Sequence, residues 1–164
     1  MTFLSSEMND LGMQTNKKVS DLFPYLPHRP PMVWVDRVLE VGKNDTGIFG
    51  VCSVQTEASP LFVDQDGKLK GSAAIEFTAQ AYGYVRAEYH VLNNIDNTPS
   101  RTYLTGVRSC FANFKSFDIE KLNDLRVSIQ LTRELHTIVF VKGRVYIQGE
   151  ADALAETEVQ VYAE

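Results

Sequence analysis

Cysteine, histidine and basic charge are all scarce in this sequence, and each scarcity closes off a class of function. Only two cysteines occur, Cys52 and Cys110. They stand far apart, a cytoplasmic chain of this size needs no disulfide to fold, and both read as buried small hydrophobes. The three histidines, His28, His90 and His136, fall at no spacing that zinc or another transition metal uses, so no metal centre is expected. Lys and Arg number 16 against 21 Asp and Glu, a net charge of -5; this is the wrong balance for a nucleic-acid surface. No long apolar run offers a membrane span. Met1 to Lys18 carries Glu7 and Asp10 and lacks the basic start and apolar stretch of a secretory signal, which points to the cytoplasm.

What is present suits one folded unit. At 164 residues and 44% hydrophobic, the chain can bury most of its apolar surface in a single core, so residues 1–164 read as one domain. Residues 1–20 read as a flexible or loosely attached N-terminal segment. Leu22 to Pro31 holds four prolines, too many for regular structure, and reads as a rigid entry loop. Met32 to Val41 and Gly47 to Thr56 then form a strand pair joined by the Gly, Asn and Asp of the intervening turn. Ala58 to Lys70 is loop-like, with a turn at Asp66-Gly67.

From Ser72 to about Leu92, Ile75, Ala79, Tyr82, Val85, Tyr89 and Leu92 recur in steps of three or four, predicting the one long helix. Asn93 to Ser100 ends it, and everything beyond reads as sheet. RVSIQLT and AETEVQV alternate cleanly, with Glu156, Glu158 and Gln160 facing water. Thr137 to Ile147 is more continuously apolar, with Lys142-Gly143 as a bulge or bend. A strand pair, one long helix and further antiparallel strands make an α+β domain.

The residues carry a resemblance. Leu26-Pro27-His28-Arg29, then Pro31-Met32 and Val35-Asp36-Arg37-Val38, resemble the opening of the bacterial 3-hydroxyacyl-carrier-protein dehydratases. Gly71, Ile75-Glu76, Ala79-Gln80-Ala81 and Gly83 resemble the start of that family's central helix, and Leu104-Thr105-Gly106 fits the next strand. The likeness runs from about Leu22 to Tyr162. It implies a hot-dog fold, in which an antiparallel sheet wraps one long helix, and a homodimer whose interface completes the acyl tunnel. It also implies an acyl carrier protein as partner, bearing the 3-hydroxyacyl chain. The stretch Pro60 to Leu69 is more similar to dehydratase homologues of aryl-polyene biosynthesis clusters. One departure stands out: where ordinary members carry a catalytic histidine in a His-Phe-Pro-Gly loop, this chain has Leu61-Phe62-Val63.

Dehydrating a 3-hydroxyacyl thioester needs a base for the C2 proton, an acid for the leaving hydroxyl and polarisation of the carbonyl, but no cofactor. Glu76, one turn into an otherwise apolar helix, is the expected acid, its pKa raised by burial; a first-turn acid also simply complements the helix dipole. Gly71 offers a backbone N–H for the thioester oxygen, or serves only the turn. Gln80 is placed to hold the Glu76 carboxylate, or to pack. His28 is the expected replacement base, reaching Glu76 of the neighbouring subunit; alternatively it bonds the loop backbone. His90 and His136 suit capping or surface roles, and Asp64 and Asp66 are reserve acids. Two other functions stay open: thioester hydrolysis, and an acyl-binding subunit that lacks activity and pairs with an active dehydratase.

Overall fold

The computed structural model describes residues 12–96 and 102–163. Seven strands, β1 (Met13–Lys18), β2 (Val35–Lys43), β3 (Ile48–Val54), β4 (Thr102–Ala112), β5 (Leu125–Leu135), β6 (Ile138–Ile147) and β7 (Ala153–Ala163), form one sheet. Its order is β1-β2-β3-β5-β6-β7-β4, with every neighbouring pair antiparallel. A short helix, α1 (Ser59–Phe62), precedes the long α2 (Ala73–Leu92). Helix α2 packs against every strand from β2 to β7, so the sheet curls around it. This is the hot-dog fold, and the α+β class expected from the sequence.

Alternation builds the concave face of the sheet. Leu125, Val127, Ile129 and Leu131 of β5 and Ala155, Thr157, Val159 and Val161 of β7 are all buried, as period-two side chains on one face must be. Gly143 of β6 forms no bulge: it pairs in register with Ile129 and Thr157. Its glycine has a different cause, because a Cβ there would collide with the side chain of Thr78 and lie 2.8 Å from Thr157 Oγ1. A glycine inside a strand often marks such a close approach. Thr78 Oγ1 donates to Ala74 O and lies 2.7 Å from Thr157 Oγ1. This buried hydroxyl pair ties the first turns of α2 to the sheet centre.

Several expectations need correction. Residues 13–18, expected in a loose segment, form β1 and pair with β2; residues 1–11 lie outside the described residues. Leu22–Tyr25 is not irregular but completes a 3-10 helix, Val19–Tyr25, with Pro24 inside it, since proline's fixed φ fits a helical turn and costs only one donor. Residues 59–62 of the expected loop are α1, with Pro60 in its first turn, where proline's missing N–H is not needed. The opening strands are narrower, starting at Val35 and Ile48. Leu92 is 39% exposed, while Phe77, Ala81, Tyr84 and Val85 are fully buried: the sheet surrounds the helix on more than one stripe. Cys52 is buried, but Cys110 is exposed, because it sits on β4, a sheet edge that is largely exposed among the described residues. The helix-ending stretch Asn93 to Ser100 is described only as far as Asp96.

Candidate active site

Glu76 sits in the first turn of α2. Gln80, one turn later, is 1% exposed and uses its whole amide. Its Nε2 donates to Glu76 Oε1 at 2.7 Å and to Met32 O at 2.9 Å, and its Oε1 accepts from Trp34 N at 2.8 Å. One side chain thus both orients the carboxylate and fastens the segment leading into β2 to the helix. The burial expected of Glu76 is partial in the single chain, with 29% of its side chain exposed.

The same clamp brings the entry loop to the carboxylate. His28 Nε2 lies 3.9 Å from Glu76 Oε1, beyond a hydrogen bond but short enough for one substrate atom or water to touch both. Both residues belong to one chain, so the pairing does not need the neighbouring subunit expected from the sequence. Neither ring nitrogen of His28 bonds the loop backbone, and Nδ1 is buried without a partner among the described residues. Burial lowers the His28 pKa; the Glu76 carboxylate opposes this and the Arg29 guanidinium adds to it. The imidazole is therefore neutral near pH 7, the form a base requires.

Arg29 was not picked out by the sequence reading, although it stands in the same motif. Its guanidinium donates to Leu26 O, His28 O and Phe23 O at 2.7, 2.7 and 3.0 Å and lies over the Phe23 ring. Three carbonyls gathered on one rigid planar donor fix the loop that carries His28. Beside it, a cavity of about 320 Å³ is lined by Phe23, Pro30, Pro31, Val33 and Ala58 among others; neither His28 nor Glu76 lines it.

Gly71 is exposed just before α2, and its N–H makes no hydrogen bond among the described residues. Nothing among the described residues requires glycine there. A Cβ would meet only Ala112 Cβ, at an ordinary 3.6 Å, and its φ is not left-handed. An open N–H at the positive end of a 20-residue helix is a ready site for a developing oxyanion.

The stretch Leu61-Phe62-Val63, where the resemblance implies a histidine, ends α1 and turns inward at Phe62. Phe62 is fully buried, with its ring 5.3 Å from Trp34 and 5.1 Å from Phe77. The other candidates lie apart from this cluster. Asp64 Oδ1 accepts from Asp66 N and Lys68 N to shape the turn through Gly67, whose φ is +73. His136 sits at φ 55 in the β5–β6 turn, rather than in a strand. His90 lies in the last turn of α2, its ring 6.2 Å from that of Tyr89 and tilted to it by 59°. Among the described residues, no group of three or more His, Cys, Asp or Glu could hold a metal ion, and no helix is long and apolar enough to cross a membrane.

A family model described as ApeP-like, ApeP dehydratase, matches residues 20–164. The chain belongs to the ApeP dehydratase family. Among solved structures, the dehydratase heterocomplex ApeI:P from Xenorhabdus doucetiae is 23% identical with a TM-score of 0.67, covering 90% of this chain and 91% of that one. The BH2602 protein from Bacillus halodurans with CoA is 10% identical with a TM-score of 0.41, covering 76% of this chain and 73% of that one. No curated protein matches the sequence.

Proposed function

We propose that this dehydratase-family chain converts a 3-hydroxyacyl thioester, carried on an acyl carrier protein, to the trans-2-enoyl thioester, in an aryl-polyene or related acyl-chain biosynthesis in the cytoplasm. The observation that carries the reading is the 3.9 Å approach of His28 to Glu76, on a helix preceded by Gly71, whose N–H is unpaired among the described residues. The reactive form of the pair carries one proton, on the Glu76 carboxyl, and a neutral imidazole. His28 takes the C2 proton, the C2=C3 double bond forms, the C3–O bond breaks, and Glu76 gives its proton to the departing hydroxyl, which leaves as water. The imidazolium then returns its proton to Glu76. Gly71 N–H and the helix dipole hold the thioester oxygen as negative charge gathers on it.

The working unit is proposed to be a dimer built across β4. This edge strand exposes Tyr103, Leu104, Val107 and Phe111, and an open apolar edge is a template for another strand. A second copy of the chain is the simplest occupant. The alternative role, an acyl-binding subunit beside an active dehydratase, is favoured by one specific observation, the aromatic residue at position 62, and by the heterocomplex named for the relative.

Incubation with a 3-hydroxyacyl carrier protein, or with the N-acetylcysteamine thioester, followed by mass spectrometry separates the readings. Loss of one water supports dehydration, release of free acid means hydrolysis, and an unchanged thioester favours the subunit without activity. Glu76→Gln should keep the fold and lower turnover at least about a hundredfold, as removal of a positioned acid does; full activity in that variant would refute the assignment.

A further inference from the structure

Trp34 is the only tryptophan of the chain, and its contacts place it against the Glu76 site. Its backbone N–H donates to Gln80 Oε1, the amide that also grips Glu76. Its indole ring lies 6.0 Å from that of Phe77, the neighbour of Glu76 in α2, and 5.3 Å from that of Phe62. Yet the indole Nε1 is buried and has no hydrogen-bond partner among the described residues.

That orphan is costly and avoidable. An indole N–H can only donate, a buried one ordinarily finds an acceptor, and phenylalanine would fill an aromatic cluster without leaving a donor dry. Six buried side-chain atoms of the described residues lack partners, and two of them, Trp34 Nε1 and His28 Nδ1, belong to residues tied to the same carboxylate, His28 directly and Trp34 through Gln80. Buried polar groups left open at one place are what a bound ligand satisfies.

The order along α2 says which ligand atom. Gly71 precedes the helix, Glu76 lies in its first turn, and Gln80 with Trp34 lies one turn beyond. With the thioester carbonyl at Gly71 and C3 at Glu76, an indole packed on Phe77, the next residue of α2, lies nearer C3 than the carbonyl. We propose that the Trp34 indole N–H donates a hydrogen bond to the 3-hydroxyl oxygen of the bound acyl thioester, making Trp34 a substrate-binding residue that separates hydroxyacyl substrate from enoyl product. The proposal rests on the dehydratase reading of the site.

A single tryptophan gives a single indole N–H resonance. Isotopically labelled full-length protein would be titrated with a 3-hydroxyacyl N-acetylcysteamine thioester carrying two methyl groups on C2, which cannot be dehydrated, and with its analogue lacking the hydroxyl. The indole proton should move downfield saturably with the hydroxy compound only, while the Gln80 side-chain amide responds to both. An indole signal unmoved by the hydroxy compound, or moved equally by both, while the Gln80 amide responds, overturns the proposal and leaves the site reading standing. No response anywhere to either compound overturns both.

Trp34→Phe should lower kcat/KM for the 3-hydroxyacyl thioester about tenfold, the loss of one hydrogen bond to substrate, while melting no lower than the parent. Unchanged kcat/KM in a folded variant would show the indole to be packing only.

Discussion

Replacing Gln80 tests the clamp on which the site geometry depends. Gln80→Leu keeps the size of the side chain but leaves Trp34 N–H and Met32 C=O without the partners they hold at 2.8 and 2.9 Å. Each backbone group left unpaired away from water costs about 1–3 kcal/mol, both of these are part-buried, and burial of the leucine returns about 1.5–3 kcal/mol. The net loss should be about 1–3 kcal/mol, which for a chain of this length lowers Tm by roughly 2–12 °C. Gln80→Glu separates the two ends of the amide. Its oxygen still accepts from Trp34 N, but an ionised carboxylate cannot donate to Met32 O and faces the Glu76 carboxylate. The new carboxyl is therefore more stable protonated in the folded state, with its pKa raised above the ordinary value of about 4.3. A raised folded pKa gives stability that is full below the unfolded value and lost as pH rises through the folded one. Thermal melts followed by circular dichroism should show Gln80→Glu close to the parent near pH 4.5 and falling away toward pH 8, while the deficit of Gln80→Leu stays nearly flat over that range. A leucine variant melting with the parent, or a glutamate variant whose deficit ignores pH, would refute the clamp.

His28 should titrate below the ordinary histidine value, since burial outweighs the pull of Glu76. Its depressed pKa adds stability present above about 6.5 and lost as pH falls through the folded value, and the acid limb of kcat/KM should lie below 6.5 and vanish in a His28→Gln variant; ring resonances followed by NMR and a pH–rate profile check both. Phe111 is 62% and Val107 46% exposed on β4, so Val107→Lys together with Phe111→Lys should convert a dimer to a monomer in light scattering at micromolar concentration. A parent chain already monomeric there would remove the basis for the dimer.

The strands and helix were legible where one face meets the core and the other meets water. In β7 the sequence AETEVQV alternates and so does its burial. β1 was hidden because MQTNKK offers neither a hydrophobic run nor an inward face: it is an edge strand, largely exposed, recognised only by its pairing with β2. The helix stripe misled because a period of 3.6 assumes one buried face, whereas α2 meets strands from β2 to β7. At the site, Glu76 and Gln80 were legible as an i, i+4 pair on one helix. Trp34 and Phe62 were not: an aromatic residue near a strand or in a loop reads as core until its neighbours are known.

The aromatic residue at position 62 and the histidine at position 28 bear on one another. The stretch Leu61-Phe62-Val63, where the resemblance implies a histidine, has none, and Phe62 instead joins Trp34 and Phe77 in a three-ring wall. A base for Glu76 must then come from elsewhere, and only an element already bound to the helix can hold one at a fixed distance. The entry loop meets that condition twice over. Gln80 ties Met32 and Trp34 to α2, and Arg29 gathers three loop carbonyls on its guanidinium, so the imidazole is held at low entropic cost, as catalysis requires. On the proposed mechanism, the aromatic packing and the loop that supplies the base depend on the same clamp: Gln80 holds the backbone of Trp34, whose ring joins the wall, and that of Met32, at the end of the loop that carries His28.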